Sequence, residues 1–430
     1  MSAGPVLQPI GELEKSGAVL EIQDGNHGEK HPVSSDYVDS GIPFIMANNI
    51  LDGTVDLRGC KYIRKEQADS LRVGFARAGD VLLTHKGTVG NVAVVPQVED
   101  YVMLTPQVTY YRLNPAMLDN KYFAYALRDP DFRSRMNSIS GQSTRPYVGI
   151  TAQRYLLVMV HPLRMQHKIA AILSAYDDLI ENNLRRIKIL EEMAQNLYRE
   201  WFVKYRFPGH QHARLTDSPL GRIPEGWEVK RLGDAFLIVL GGTPSRDRPE
   251  FWRNGTVPWI NSGKVNDLRV TEPSELITEL ALKKSAAKLM PPGTTLIAIT
   301  GATLGQVSIL EIEASANQSV VGVISEDEKL IEWLHLTIRE RISSIINHAS
   351  GGAQQHINKG IVDDVVVAVP PGNIPEKFHN IAQPLYRHIA GLIFKNSTLR
   401  CTRDLLLPRL ISGEVDVSEL DIAVPDEAGI

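Results

Sequence analysis

The feature that constrains this chain most is that its order of residue types returns about 210 positions later. Gly41-Ile42-Pro43-Phe44-Ile45 is echoed by Thr256-Val257-Pro258-Trp259-Ile260. Gly79-Asp80-Val81-Leu82-Leu83, leading to Gly87-Thr88-Val89-Gly90, is echoed by Gly293 to Ile297 and then Gly301-Ala302-Thr303-Leu304-Gly305. Ser140-Gly141-Gln142 returns as Ser350-Gly351-Gly352, and Ile169-Ala170 returns as Ile381-Ala382 at the head of a helical stretch. The offset drifts from 215 to 210 and recovers to 213, so small insertions separate the copies. Solenoid repeats run only ~20–50 residues, so a period this long is a duplicated unit of one domain plus one helix. Two similar domains on two similar helices imply a ligand that itself offers two sites.

Periodicity sets the organisation. Short β-like runs separated by turns fill residues 1–160, among them 42–45, 81–84, 92–95, 108–111 and 155–160, with one helix expected over 121–135. From Gln166 to about Lys204 the pattern is helical without a break. With Ile169 at position a of a heptad, the a series continues through Tyr176, Asn183, Leu190 and Leu197, and the d series is Leu173, Ile180, Ile187, Ala194 and Trp201. Five such heptads make a coiled-coil seam, and ~38 residues at ~1.5 Å each make a rod of roughly 57 Å. Residues 220–375 repeat the β-rich pattern, with runs at 295–299, 306–310, 320–324 and 364–369 and a helix near 330–347. A second helical stretch follows, with Ala382, Ile389, Asn396, Arg403 and Leu410 at a and Leu385, Leu392, Leu399 and Leu406 at d. Asn183 and Asn396 hold the same heptad position in the two copies, where a polar residue fixes register at a cost in stability. Pro384 and Pro408 are expected to make the second rod less regular than the first.

These boundaries read as a first β-rich domain at 1–162, a central helix at 163–206, a linker at 207–219, a second domain at 220–375, a distal helix at 376–415 and a tail at 416–430. The fold class is α+β: two β-rich domains, each followed by a long helix, with the helices packing as an antiparallel coiled coil in a pseudo-twofold duplication.

The search for chemistry is mostly negative. There is no GxxxxGK[ST], no HExxH and no GxGxxG opening a βαβ unit. Cys60 and Cys401 have no metal-ligand or framework spacing, so neither zinc nor a disulfide scaffold is expected. No apolar run approaches the ~20 residues of a membrane helix, and no secretory signal opens the chain, which fits a cytoplasmic protein with no membrane partner. A net charge of −4 gives no general sign of nucleic-acid binding. Basic and acidic residues number 16 and 17 in 1–160, and 16 and 19 in 207–375. One local cluster stands out: Lys121, Arg128, Arg133, Arg135 and Arg145, with only Asp129 and Asp131 among them.

The helix ends carry specific strings. Met193-Ala194-Gln195-Asn196-Leu197-Tyr198-Arg199-Glu200-Trp201-Phe202, then Phe207-Pro208-Gly209, resembles the end of the central conserved helix in type I restriction–modification specificity subunits. The run from Ser218 to Asp234, built around Ile223-Pro224-Glu225-Gly226-Trp227, is similar to that family's second target-recognition domain at its start. Leu405-Leu406-Leu407-Pro408-Arg409-Leu410-Ile411-Ser412-Gly413-Glu414-Val415 resembles the end of its distal helix. The resemblance covers the whole chain. The first domain departs from it by lacking the Gly-x-Ile-Pro-x-Gly-Trp opening and starting at Gly11-Glu12-Leu13-Glu14 instead.

The resemblance implies a subunit without catalysis of its own. Each target-recognition domain reads one half of a bipartite, asymmetric sequence in double-stranded DNA, and the helices set the spacing and dock two modification (methyltransferase) subunits. Restriction (translocase and nuclease) subunits complete the complex. S-adenosylmethionine, ATP and Mg are expected in those partners and no cofactor in this chain. Two alternatives are a partner that fuses restriction and modification in one polypeptide, and a coiled-coil adaptor that binds no DNA. Base edges are read by paired donors and acceptors on loops. In the first domain the candidates are the Thr84-His85-Lys86 turn, above all Lys86, with Thr88 and Asn91; the loop residues Gln142, Ser143, Thr144, Arg145 and Tyr147; and the phosphate-facing Arg133 and Arg135. In the second they are Lys264, Thr300, Thr303, Gln306, Gln354, Gln355, His356, Asn358 and Lys359.

Overall fold

The computed structural model describes residues 4–28, 30–51, 53–140, 146–347 and 356–422. The chain divides into two compact units, one holding residues up to Ile180 together with those from Thr398 onward, the other holding Glu181–Ser397. The central helix, Leu163–Tyr198, and the distal helix, Ile374–Ile411, therefore each pass from one unit to the other.

The duplication is one of hydrogen-bond ladders. In the first unit a four-stranded antiparallel sheet runs in the order Thr88–Val94, Val81–Lys86, Val108–Leu113, Val19–Asp24. In the second, Val307–Leu310, Thr295–Ala298, Val320–Ile324 and Leu237–Leu240 follow in the same order and sense. Arg269–Val270 adds a parallel edge to Val307–Leu310, where the first unit has a single parallel bridge from Gly53 to Ala93. A further sheet in the first unit pairs Ile42–Ile45 in parallel with Val102–Leu104 and antiparallel with Lys61–Ile63. Val257–Ile260 does the same with Ser315–Ala316 and Glu275–Ile277. Two-stranded pairings, Val6–Pro9 with Leu157–Val160 and Glu228–Arg231 with Val366–Val369, complete the match. Even the tight spots recur. A Cβ on Gly25 would lie 2.0 Å from the Thr105 carbonyl oxygen, and one on Gly241 would lie 2.1 Å from that of Asn317, so only glycine fits at either strand end.

The helix expected over 121–135 is two helices, Asn120–Arg128 and Pro130–Ser140. Asp119 caps the first, its carboxylate accepting from the Tyr122 amide at 2.7 Å. The break falls on Asp129, held extended at ψ 135°, because the ring of Pro130 disfavours a helical residue before it. The opposite correction applies to the distal helix. It runs unbroken for 38 residues through both Pro384 and Pro408.

Within each unit the two long helices pack antiparallel. In the first, Leu173 lies in one core with Leu407 and Leu410, and Asp177 pairs with Arg403. Asp177 also accepts from Tyr125 Oη at 2.6 Å and from Arg128 at 3.3 Å, which ties the β-domain's helix to the pair. In the second, Ile187 packs with Ile389 and Leu392, and Glu191 receives Arg339 of the second domain at 2.6 Å. Every d position of the central helix is buried, as is every a position of the distal one. The strings at the helix ends have core jobs. Trp201 and Phe202 lie in a π-helical turn, Arg199–Val203, and join Phe207, Trp227 and Phe378 in an aromatic cluster, Phe202 meeting Phe378 edge-on at 4.8 Å. In the first unit the buried Lys168 ammonium donates to the carbonyls of Val417, Ser418 and Leu420 at 3.2, 2.7 and 2.8 Å. No helix among the described residues is long and apolar enough to cross a membrane.

Candidate nucleic-acid interface

The two sheets present the same edge. In the first unit the strand Val81–Lys86 ends in an antiparallel bridge from Lys86 to Tyr147. The Gly87 amide donates to the Pro146 carbonyl at 3.1 Å, and the Val148 amide to the His85 carbonyl at 3.0 Å. Tyr147 is 53% exposed, Lys86 places its ammonium 6.0 Å from the Tyr147 ring centre, and exposed Thr88 opens the next strand. Lys86, Thr88 and Tyr147 thus share one exposed edge. In the second unit Thr300 bridges His356 antiparallel, and the Ile357 amide donates to the Ile299 carbonyl at 3.0 Å. His356 and Gln306 are exposed there.

Other candidates have structural partners. The Asn91 amide group donates to the Ile50 carbonyl at 3.0 Å, and its backbone amide to Thr84 Oγ1 at 2.9 Å. Thr303 Oγ1 donates to the Thr300 carbonyl at 3.2 Å. Asn358 caps the helix Lys359–Asp363, accepting from the Ile361 amide at 3.0 Å, and Lys359 pairs with Asp363 at 3.0 Å. Lys264 sits between Glu272 at 2.8 Å and Asp267 at 3.4 Å, which offset its charge and raise its pKa against the effect of burial. Arg133 is exposed on Pro130–Ser140. Arg135 donates to the Leu157 carbonyl at 3.2 Å and lines a cavity of about 280 Å³ with Asp129, Phe132 and Glu414. Gln142, Ser143, Thr144, Arg145, Gln354 and Gln355 lie outside the described residues. In the second unit Asn183 Nδ2 donates to Asn396 Oδ1 at 2.8 Å.

Thr84-His85-Lys86 is not a turn but a strand end, and because core packs on both faces of the sheet Thr84 and His85 are both buried, on opposite sides. His85 is 1% exposed and belongs to a polar network that sequence reasoning missed. Its Nε2 lies 3.1 Å from the Pro106 carbonyl, which can only accept, so that nitrogen carries a proton. Nδ1 lies 2.6 Å from Thr109 Oγ1, and that hydroxyl is also 2.6 Å from Asp24 Oδ1. Gln153, fully buried, donates to Thr109 Oγ1 at 3.0 Å and to the Val148 carbonyl at 2.7 Å, and accepts from Tyr111 Oη. Burial lowers the His85 pKa, with Asp24 and the Pro106 carbonyl opposing. The available signal was a polar residue in each of two apolar strands, His85 after Val81-Leu82-Leu83 and Thr109 after Val108.

Comparison with known proteins bears on this geometry. The profile of the type I restriction modification DNA specificity domain matches residues 15–192 and again 224–393. The MjaIX type I restriction enzyme specificity subunit of Methanocaldococcus jannaschii is 27% identical over 422 residues, 96% of each chain. The HindI specificity subunit of Haemophilus influenzae is 23% identical over 340 residues, 65% of this chain and 74% of that one. Among solved structures, the type I restriction–modification S subunit from M. genitalium superposes with a TM-score of 0.55 at 16% identity, over 95% of this chain and 96% of that one, a likeness of fold. With the domain matched twice over most of its length, the chain belongs to the type I restriction modification DNA specificity family.

Proposed function

We propose that this chain is the non-catalytic sequence-reading subunit of a type I restriction–modification complex, and that each unit reads one half of a bipartite site in double-stranded DNA. One observation carries this reading: the same exposed edge is built twice on the same ladder but displays different side chains. Lys86, Thr88 and Tyr147 stand on one, and half-buried Thr300 with exposed Gln306 and His356 on the other. Equal scaffolds with unequal displays suit an asymmetric split motif, in which ladder geometry positions and side chains specify. The long helices serve as the spacer. At ~1.5 Å per residue the 36-residue central helix is about 54 Å long, more than the ~34–36 Å of one DNA turn. The Asn183–Asn396 pair fixes the register of that spacer. Modification subunits dock on the helices and supply S-adenosylmethionine and the flipped-base chemistry, and restriction subunits bring ATP, Mg, translocation and cleavage. With a chain charge of −4, much of the phosphate neutralisation falls to those partners.

The test is co-expression with the modification subunit encoded beside it, followed by mapping of methylated adenines. A split motif is expected, and absence of one refutes the proposal. Exchanging residues 1–160 for another family member's first domain should change one half only. Deleting one heptad from each helix should shorten the gap or abolish methylation.

A further inference from the structure

We infer that His85 and Gln153 are positioning residues for the first half-site reader, and that the second reader is built without them. The inference rests on the split-site reading above. Ladder equivalence identifies the counterparts. The Val148 amide bonds the His85 carbonyl just as the Ile357 amide bonds the Ile299 carbonyl, so His85 corresponds to Ile299. In the sheets Thr109 faces Asp24 and Leu83, and Val321 faces Leu240 and Ile297. Gln153 ends the short helix five residues after Val148, and Val362 lies in the short helix five residues after Ile357. Asp24, His85, Thr109 and Gln153 therefore stand where the second unit has Leu240, Ile299, Val321 and Val362. Four polar side chains replace four apolar ones beneath the same edge.

The difference reaches the surface. The His85 ring stands edge-on to Tyr147, centroids 5.5 Å apart at 73°. That ring is held on both nitrogens, toward Thr109 and the Pro106 carbonyl. Gln153 grips the Val148 carbonyl, the residue after Tyr147, while its own carbonyl is held by Tyr111. Hydrogen bonds are directional, so a buried polar network restricts the arrangement of the groups it holds. Packed aliphatic side chains tolerate small shifts before stability is lost. The first edge is thus aimed by directional bonds, and the second by the fit of Ile299, Val321 and Val362, each no more than 4% exposed. Neither His85 nor Gln153 can touch DNA, being 1% and 0% exposed. They act through Tyr147 and Lys86.

The experiment uses the full chain in complex with its modification subunit. Methylation rates are measured on duplexes carrying every single-base substitution in both halves of the mapped motif. Exchange of residues 1–160 shows which half the first unit reads. His85→Gln should cut discrimination at one or more positions of that half about tenfold and leave the other half within about twofold. A second variant, Asp24→Leu with His85→Ile, Thr109→Val and Gln153→Val, installs the second unit's apolar set and should do the same. Retained reading of the other half reports that the variant has folded. Unchanged discrimination in both variants overturns the inference. So does equal loss at both halves in both variants, which is what a merely structural network would give. A wild-type complex without a split motif sinks the split-site reading instead.

Discussion

Asn183 and Asn396 offer a clean measurement. Both are buried, 3% and 2% exposed, on facing helices within the second unit, and a 2.8 Å hydrogen bond joins them. Asn396 Nδ2 has no partner among the described residues. Asn183→Leu strands the Asn396 carbonyl, and Asn396→Leu strands the Asn183 amide. Each stranded group costs about 1–3 kcal/mol. The double variant strands neither and gains apolar contact at a seam whose neighbours are Ile187, Ile389 and Leu392. It should therefore be more stable than the sum of the single effects by about 2–6 kcal/mol, the two penalties together. The assay follows from where the tryptophans fall. All five, Trp201, Trp227, Trp252, Trp259 and Trp333, belong to the second unit, so urea unfolding followed by their fluorescence reports on that unit. Additivity within about 0.5 kcal/mol would refute the reasoning. If the pair also sets register, the double variant should elute as larger or mixed species in size-exclusion chromatography, because an all-apolar seam loses that discrimination.

Two further outcomes follow from buried ionisable groups. Lys168→Met removes the ammonium that caps three carbonyls of residues 417–420 and should cost about 1.5–3 kcal/mol locally; faster amide hydrogen exchange over 415–422 would show it, and unchanged exchange would count against it. His335 is fully buried against Tyr386, rings 6.0 Å apart at 89°, and burial, with Arg339 and Arg269 nearby, holds it neutral well below its ordinary pKa. Above about pH 6.5 the residue is neutral folded and unfolded, and its stability contribution is whole; below that the unfolded chain takes up the proton first and the second unit loses stability. His335→Phe keeps the ring contact and removes the titration, so its tryptophan-detected Tm should fall less than wild type between about pH 7.5 and 5.5; an equal fall would exclude His335 as the source.

What could be read from residue order was whatever has a short period. Strand alternation and the heptad seam repeat within a few residues, the matched asparagines follow from laying one heptad series on the other, and each describes the structure. The break at Asp129-Pro130 was equally local, since a residue before proline leaves the helical region. The distal helix shows the opposite balance. Pro384 and Pro408 each cost a backbone bond and a clash of about 3 kcal/mol in an isolated helix, but Ala382, Ile389, Leu392, Leu407, Leu410 and Ile411 are all buried along it. At about 1.5–3 kcal/mol for a fully buried large aliphatic, that seam outweighs the prolines, and no local rule contains it. The buried network beneath the edge proposed to read DNA was not legible, for a finer reason. Lys86 and His85 are adjacent at the end of one strand, yet Lys86 is exposed and His85 is buried, so a single position separates the two. The network that holds His85 runs through Thr109, Asp24 and Gln153, 24, 61 and 68 residues away in the chain. Partners at that range also hold Asn91 through Ile50, 41 residues away. The scaffold of this protein is therefore written locally and twice, while the polar network that distinguishes the first unit's edge from the second's is written in long-range contacts, where a sequence compared with itself shows only that His85 and Ile299 differ.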